Sequence, residues 1–503
     1  MLDIPRALLV ALYRAAVEGA APFPRTREAV AEWITAHRHA FGAETRVHCI
    51  ALGKAAPSMA AGATRAIEDA GFALAGGVVV CAHAGGSEVP PALTVVVGDH
   101  PVPGPGSLDA SDAIASAVHD VAPSDVVFVL LSGGTTSLAA GPVAALSHAV
   151  GNADRAQAHI ANLAETLLES GLAIHEMNAI RRRVLRWGAG RLAVALDARG
   201  ASHIPVFAIS DVIGDDPAVV GSGPCSPDSL DDASFLALVD AHGVRSGLER
   251  DMGEFLGVLG AGGVPSVPPS DHPAFARVSY RFVARNSDAV EALSNAARSA
   301  GVDRVIVQPE PLAGDAAALG DALARRAIGI ARTLEQGERA LFVAGGEPVV
   351  HLRDTFERAW QEGEADDASL AADESGFEPL ARTAGDIIPL QSSTDEPMRG
   401  GRMQLLALTA SLALEQLASQ GNRDAWRITM LAAGTDGRDG PTDAAGAIVD
   451  AVVPSRARRA GRDPERDALT GRSHYPLDAA AALVRPGPTG TNVMDVVAIL
   501  IEG

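Results

Sequence analysis

Residues 47–60 read VHCIALGKAAPSMA. Val47–Leu52 is an apolar run of strand length, Gly53 allows a tight turn, and Ala56 and Pro57 open a helical stretch, with proline placed where a first helical turn tolerates it. A strand passing through a tight turn into a helix is the repeating unit of an α/β sheet. The same succession recurs at Gly77–Cys81, Leu93–Val97, Asp125–Leu131 and Ile204–Ile209, followed by AHAGG, GDHPVPGPG, SGGTTS and SDVIGDD. In an open parallel sheet such segments are the loops at the carboxyl ends of strands, where ligands bind.

The pattern restarts near Tyr280 with a strand (RFVA), a helix at Ser287–Ala300, a strand (RVIVQ), a helix at Asp315–Glu335, a strand (ALFVA) and GGEPVVHL as a hairpin. A helix at Gln404–Ala418 and strands at Trp426–Leu431 and Asp495–Ile501 follow. Gly260–Pro273 is rich in Gly and Pro and reads as a linker. The expected domains are therefore 1–262 and 277–503, the second interrupted at about 353–399. Within the interruption, Gln361–Leu380 holds seven acidic residues and no basic one, a solvated insertion with no assigned chemistry.

Composition narrows the function classes. With 503 residues, 47% of them apolar, the chain is too long for one core and too apolar to be disordered. Three scattered cysteines exclude a disulfide scaffold or a cysteine-rich metal site. No apolar run approaches the roughly 18 residues of a membrane span, and the amphipathic opening lacks the apolar centre of a secretory signal, so a cytoplasmic protein is expected. A net charge of −21 repels phosphate backbones and argues against nucleic-acid or anionic-membrane partners. It leaves a small anionic ligand open, because a few converging cations dominate one cleft. Homo-oligomeric assembly is left open as well.

The chain contains a single lysine, Lys54, among 41 Lys and Arg residues. Lysine is a compact, rotatable point charge and arginine a wide, permanently charged fork, so a lone lysine at a strand-to-helix turn points to an anion contact that arginine does not replace. Ser132, Gly133, Gly134, Thr135 and Thr136 follow a buried-type strand and suit a loop that cradles a carboxylate or phosphate; an ordinary Gly-rich turn has the same composition. Asp211, at a strand end, leads the trio with Asp215 and Asp216 as an oxygen ligand for Mg²⁺, with turn formation and helix capping as the other reading of these acids. Arg402, after two glycines, is able to fork onto a carboxylate or phosphate. Asp436, Asp439 and Asp443 on GTDGRDGPTDAAGA are metal ligands or a turn network, and Thr489, Thr491 and Asn492 offer neutral hydrogen bonds. MNAIRRRVLRWGAGR reads as a solvated basic face, with an anion-facing role as the other reading. Gly188–Ala193, GAGRLA, fits a loose dinucleotide pattern but follows RRRVLRW instead of an apolar strand, which marks it as a chance match.

Taken together, ALGKAAPSMA, GDHPVPGPGSLDAS, LLSGGTTSLAAGP, MNAIRRRVL, AISDVIGDDPAVVGSGP, AGGEP, GGRMQLLALTASLAL, LAAGTDGRDGPTDAAGA and PGPTGTNVMD resemble, in order, the two-domain glycerate 2-kinases with their C-terminal MOFRL domain. The resemblance implies a Rossmann-like N-terminal domain with a mostly parallel sheet, a smaller α/β C-terminal domain and an active site in the cleft between them. It also implies ATP- and Mg²⁺-dependent phosphorylation of D-glycerate, most often at the 2-hydroxyl. The family lysine falls on Lys54, its GGR arginine on Arg402, and its acidic and Gly-rich loops on Asp211 and Asp436 to Asp439. Gly53, Ser132 to Thr136, Glu347, Thr435, Asp436, Asp439, Thr489 and Asn492 are the expected substrate and nucleotide contacts, and Asp211 with Asp436 the expected metal ligands. Departures fall at Thr135 and Thr136 (usually Gly and Ser), at Met403 and Leu405 (GGRMQL for GGRNQE), and at Gly188–Gly190 (GAG for KGG). The alternatives are a hydroxypyruvate reductase, which needs a nicotinamide site, and a non-catalytic or altered-specificity binder of a small hydroxy acid.

Overall fold

The computed structural model describes residues 4–83, 89–170, 172, 174–228, 230–259, 267–350 and 396–503. The acidic stretch at 361–380, all of the linker's glycines and the end of AHAGG lie outside the described residues. The chain forms two compact units, one of residues 20–285 with 490–493, the other of residues 1–19, 286–489 and 494–503.

The chain opens with helix α1 (Ile4–Gly19), which belongs to the second unit. The first unit begins with α2 (Pro22–Ala36) and continues through β1 (Val47–Leu52), α3 (Ala56–Asp69), β2 (Leu74–Cys81), β3 (Thr94–Val97), α4 (Pro105–His119) and β4 (Val126–Leu131). After α5 (Ile174–Val184) and α6 (Arg191–Ala198) come β5 (Ile204–Ile209) and β6 (Val278–Ala284). The strands pair in parallel in the order β3-β2-β1-β4-β5-β6, the doubly wound order of dinucleotide-binding folds. β1, β4 and β5 are buried along their whole length, which is why each reads as a continuous apolar run and not an alternating one. One face packs Ile50, Leu52, Val129, Leu131 and Val206 against α4 and α6 through Ile114, Leu192 and Leu196. On the other, Trp33 of α2 meets Phe128 of β4 edge-on at 5.4 Å between ring centroids. A helical subassembly containing α5 has its own core around Leu146, Ile160, Leu163 and Phe235.

RFVA, read as the opening of the second half, lies in β6 at the edge of this first sheet. Its pairing with β5 from Ile204↔Val278 onward carries the first unit to Arg285, past the linker where the division was expected. A strand's own pattern does not reveal which sheet it joins.

The second unit continues with α7 (Asn286–Ser299), β7 (Arg304–Val307), α8 (Ala316–Ala331) and β8 (Arg339–Gly346). Then come α9 (Arg402–Ser419), β9 (Ile428–Gly434), β10 (Gly446–Val449), β11 (Leu483–Val484) and β12 (Asp495–Glu502). Its mixed sheet runs β11-β10-β9-β12-β8-β7, and only the β7–β8 pair is parallel. α8 and α9 pack together over one face, around Leu323, Phe342, Leu406, Met430 and Val497. α1 and α7 pack together at the sheet, with the Tyr13 hydroxyl donating to the Gly434 carbonyl at 2.8 Å. GGEPVVHL does not fold back on itself within its described part: Gly346 and Val349 bridge in parallel to Leu312 and Asp315. No helix among the described residues is long and apolar enough to cross a membrane.

Candidate active site

The sheet order of the first unit fixes where its functional loops meet. The chain leaves β1 toward one edge and β4 toward the other, so the loops after β1 and β4 flank the topological switch point, the crevice where open α/β sheets bind ligands. Lys54 lies in the first loop and Ser132–Thr136 in the second.

The two loops are stitched together. Lys54 N–H donates to the Gly133 carbonyl at 2.9 Å, Ser132 N–H to the Leu52 carbonyl at 2.9 Å, and Ala55 N–H to the Ser132 hydroxyl at 3.0 Å. Gly53 makes this possible: its φ is +118°, and a Cβ there would lie 2.3 Å from Ser132 Oγ. The Lys54 side chain is exposed and runs beside Gly134 and His100. Among the described residues it forms no ion pair, whereas about half of the described arginines are paired with acids. Burial, helped by the Lys54 charge, pushes the His100 imidazole down to about 4, so His100 is neutral near pH 7.

Gly133 lies against the end of β5: a Cβ there would be 2.0 Å from Asp211 Oδ2 and 3.3 Å from the Asn492 amide nitrogen. Asn492 itself donates to Asp211 Oδ2 at 3.4 Å. Lys54, Gly133, Asp211 and Asn492 are thus gathered at one end of one sheet. Thr135 bonds back to the Ser132 carbonyl at 2.8 Å, and Thr136 pairs with the Ser222 hydroxyl at 2.8 Å. The N–H groups of Gly133, Gly134, Thr135 and Thr136 have no hydrogen-bond partner among the described residues, which leaves four donors in one loop.

In the second unit the antiparallel pairing of β12 with both β8 and β9 brings the start of β12 to the ends of its neighbours. Asp495 lies opposite Gly346 and Gly434, so Glu347, Asp436 and Asp495 converge. Arg402, the first residue of α9, answers that negative charge. It donates to Asp495 at 2.5 and 3.2 Å and pairs with Glu347 at 3.0 Å. Burial raises the Asp495 carboxyl to about 6, against the pull of Arg402 and with help from Glu347 and Asp436. Arg402 is held protonated by these acids in spite of its burial. Asp495 belongs to the quoted motif PGPTGTNVMD, where sequence reasoning points to the hydroxyls and the amide instead. The signal was an acid opening an otherwise apolar strand.

Asp439 is a cap for α9. Its carboxylate accepts from Met403 N–H at 3.1 Å and Gln404 N–H at 2.8 Å. Burial, with the Asp495 charge adding, raises it to about 7. Gln404 ties the same loop down through the Asp439 carbonyl, the Thr442 hydroxyl and His474. Asp443 pairs with Arg485 at 2.8 Å, Asp436 accepts from Arg438 N–H at 2.9 Å, and Thr435 and Thr489 donate to the carbonyls of Met494 and Thr435. The acidic loop is a turn network that fixes Arg402. Among the described residues no group of three His, Cys, Asp or Glu side chains is placed to hold a metal, and Asp211 and Asp436 belong to different units.

The basic segment differs from the expected solvated face. Arg182 and Arg183 are buried, the first beside Asp228 at 3.5 Å and the second on Asp232 at 2.8 Å. Arg191 closes the end of α5 through the carbonyls of Arg182, Arg183, Leu185 and Gly188. Gly188–Gly190 joins two helices, α5 and α6, and follows no strand, so GAGRLA has no dinucleotide-binding context.

The chain matches the family described as "Domain of unknown function (DUF4147)" over residues 8–257 and the MOFRL family over residues 388–495. It is 32% identical over 458 residues to a putative hydroxypyruvate reductase of Agrobacterium vitis, with 90% of this chain and 98% of that one covered. The chain belongs to the two-domain glycerate kinase family. Another member, the D-glycerate 2-kinase of Thermotoga maritima, is 28% identical with 91% of each chain covered. The crystal structure of a Thermotoga maritima glycerate kinase superposes with a TM-score of 0.71 at 26% identity over 99% of this chain and all of that one. The Rossmann-like parallel sheet and the α/β MOFRL part are the architecture of this glycerate kinase family.

Proposed function

We propose that the protein phosphorylates D-glycerate at its 2-hydroxyl with ATP and Mg²⁺. The observation that carries the reading is the position of Lys54: the one lysine of the chain, without an ion-pair partner among the described residues, at the β1–β4 switch point beside four free loop amides. Kinases among the relatives support it.

Phosphoryl transfer requires in-line positioning and neutralisation of charge more than covalent help. The glycerate 2-hydroxyl oxygen forms the new bond to the γ-phosphorus, the bond from that phosphorus to the bridging oxygen breaks with its electron pair leaving on ADP, and the hydroxyl proton passes to water. Lys54 supplies a mobile positive charge to the transferring group. The amides of Gly133 to Thr136 receive its oxygens. Asp211 is the hard-oxygen group of this site and the residue that would hold Mg²⁺, whose contribution is charge neutralisation on the phosphates; one carboxylate with phosphate oxygens and water is a usual Mg²⁺ arrangement. Asn492 keeps Asp211 turned toward Gly133. Within its own unit, Arg402 offers an anion the part of its fork left open by Asp495, and Glu347 is the partner that anion displaces.

The test is ADP release from ATP–Mg²⁺ with D-glycerate, tartronate and related hydroxy acids, with the product examined by phosphorus NMR. Phosphate on carbon 2 is the expected result. Phosphate on carbon 3, or oxidation of NADH by hydroxypyruvate without ADP release, overturns it.

A further inference from the structure

α5 carries three consecutive arginines, and successive helical side chains diverge by about 100°. Two of them are accounted for. Arg182 donates to the Ala218 carbonyl at 2.5 Å and faces Asp228; Arg183 pairs with Asp232, donates to the Leu230 carbonyl and lies over the Phe235 ring. Arg181 differs. Its one hydrogen bond among the described residues is a long one, 3.4 Å, to Asn178 one turn back on the same helix. Its Nε has no hydrogen-bond partner, as is also true of the Nε atoms of Arg182 and Arg183, but unlike theirs its guanidinium has no carboxylate of a described residue within ion-pair distance. Arg181 is half-buried, so its charge is partly withdrawn from water with no counter-charge to offset the loss.

The surroundings show what would repay that cost. Arg181 shares the wall of a cavity with Thr136 and Ser137 of the β4 loop, the rest of that wall being apolar side chains such as Ile160, Leu163 and Val184. The space within it is about 10 Å³, the room one water occupies. A single oxygen fits there; a whole glycerate does not. Burial also lowers the Arg181 pKa, the direction an uncompensated cation takes.

We infer that Arg181 is an anion-recognition residue: together with Thr136 and Ser137 it receives one oxygen of a carboxylate or phosphate bound at the β4 loop. The inference rests on the kinase reading for the identity of its two candidate anions, the glycerate carboxylate and the nucleotide phosphates. A planar fork and two hydroxyls on one cavity wall suit an oxyanion from either source.

Calorimetric titration of the full chain with D-glycerate and, separately, with tripolyphosphate tests it in wild type, Arg181→Ala and Arg181→Lys. The wild type is expected to bind at least one probe saturably, Arg181→Ala to bind that probe at least tenfold more weakly, and Arg181→Lys to fall between. Loss confined to D-glycerate identifies the carboxylate as the anion, and loss confined to tripolyphosphate identifies the phosphate. The Tm of Arg181→Ala is expected within a few degrees of wild type, whereas Arg182→Ala, which strands Asp228, loses much more. Unchanged affinities in a folded Arg181→Ala protein, or no binding of either probe by wild type, overturn the inference. Binding without phosphorylation of glycerate leaves it standing while removing the kinase reading, so the two fail separately.

Discussion

Arg402 Nε lies 2.5 Å from Asp495 Oδ2, and its Nη2 lies 3.2 Å from Oδ1, a two-point clasp between the first residue of α9 and the first residue of β12. The side chain of Asp495 is 4% exposed and that of Arg402 33%, so the carboxylate is the buried anchor and the guanidinium the end that reaches solvent. A bidentate clasp fixes the plane of the fork, which a lysine at the same place would leave free.

Removing the cation therefore strands a buried anion. Arg402→Ala is expected to lose about 3–5 kcal/mol of stability at pH 8. The loss is smaller at pH 5, because a carboxyl already raised to about 6 is then largely protonated and needs no counter-charge. Urea denaturation at the two pH values checks this, and equal losses would contradict it.

Asp439 gives the second unit a pH dependence of defined sign. Its carboxyl is raised to about 7 in the fold, above its unfolded value, so the folded state holds the extra proton between about pH 4 and 7. Stability falls as pH rises through that window and levels off above it. Asp439→Asn is expected to remove up to about 4 kcal/mol of this fall. The part due to Asp495 remains, so the slope of denaturation midpoint against pH between 5 and 7.5 shrinks without vanishing. A slope identical to wild type would contradict the placement of that proton.

Gly133 tests the β4 loop. A methyl group at this position would lie 2.0 Å from Asp211 Oδ2, so Gly133→Ala must turn the carboxylate away. The fold is expected to hold within about 2 kcal/mol, because the displaced group is half-exposed, while turnover with D-glycerate falls roughly a hundredfold from misplacement of Asp211. Near-normal turnover would show that Asp211 takes no part.

Much of this was legible in the sequence where burial is continuous and short-range. Val47–Leu52 and Ile204–Ile209 match their strands end to end because strands buried on both faces are unbroken apolar runs bounded by turn residues. β10 and β11, four and two residues long, are too short to show a period. The sheet that β6 joins depends on pairing with β5, a long-range relation absent from its own residues. Arg182 and Arg183 read as solvated because their partners, Asp228 and Asp232, lie more than forty residues away in the chain. Asp495 was overlooked for a related reason: its significance comes from antiparallel pairing, which places it beside the ends of β8 and β9.

The most direct test of the account is the rate of ADP release with D-glycerate in wild type and Lys54→Arg. The substitution keeps the charge but replaces a compact ammonium by a wide fork on a side chain that runs beside Gly134. The account predicts a fall in turnover of roughly a hundred- to a thousandfold at unchanged Tm. Turnover within a factor of two or three of wild type would contradict it.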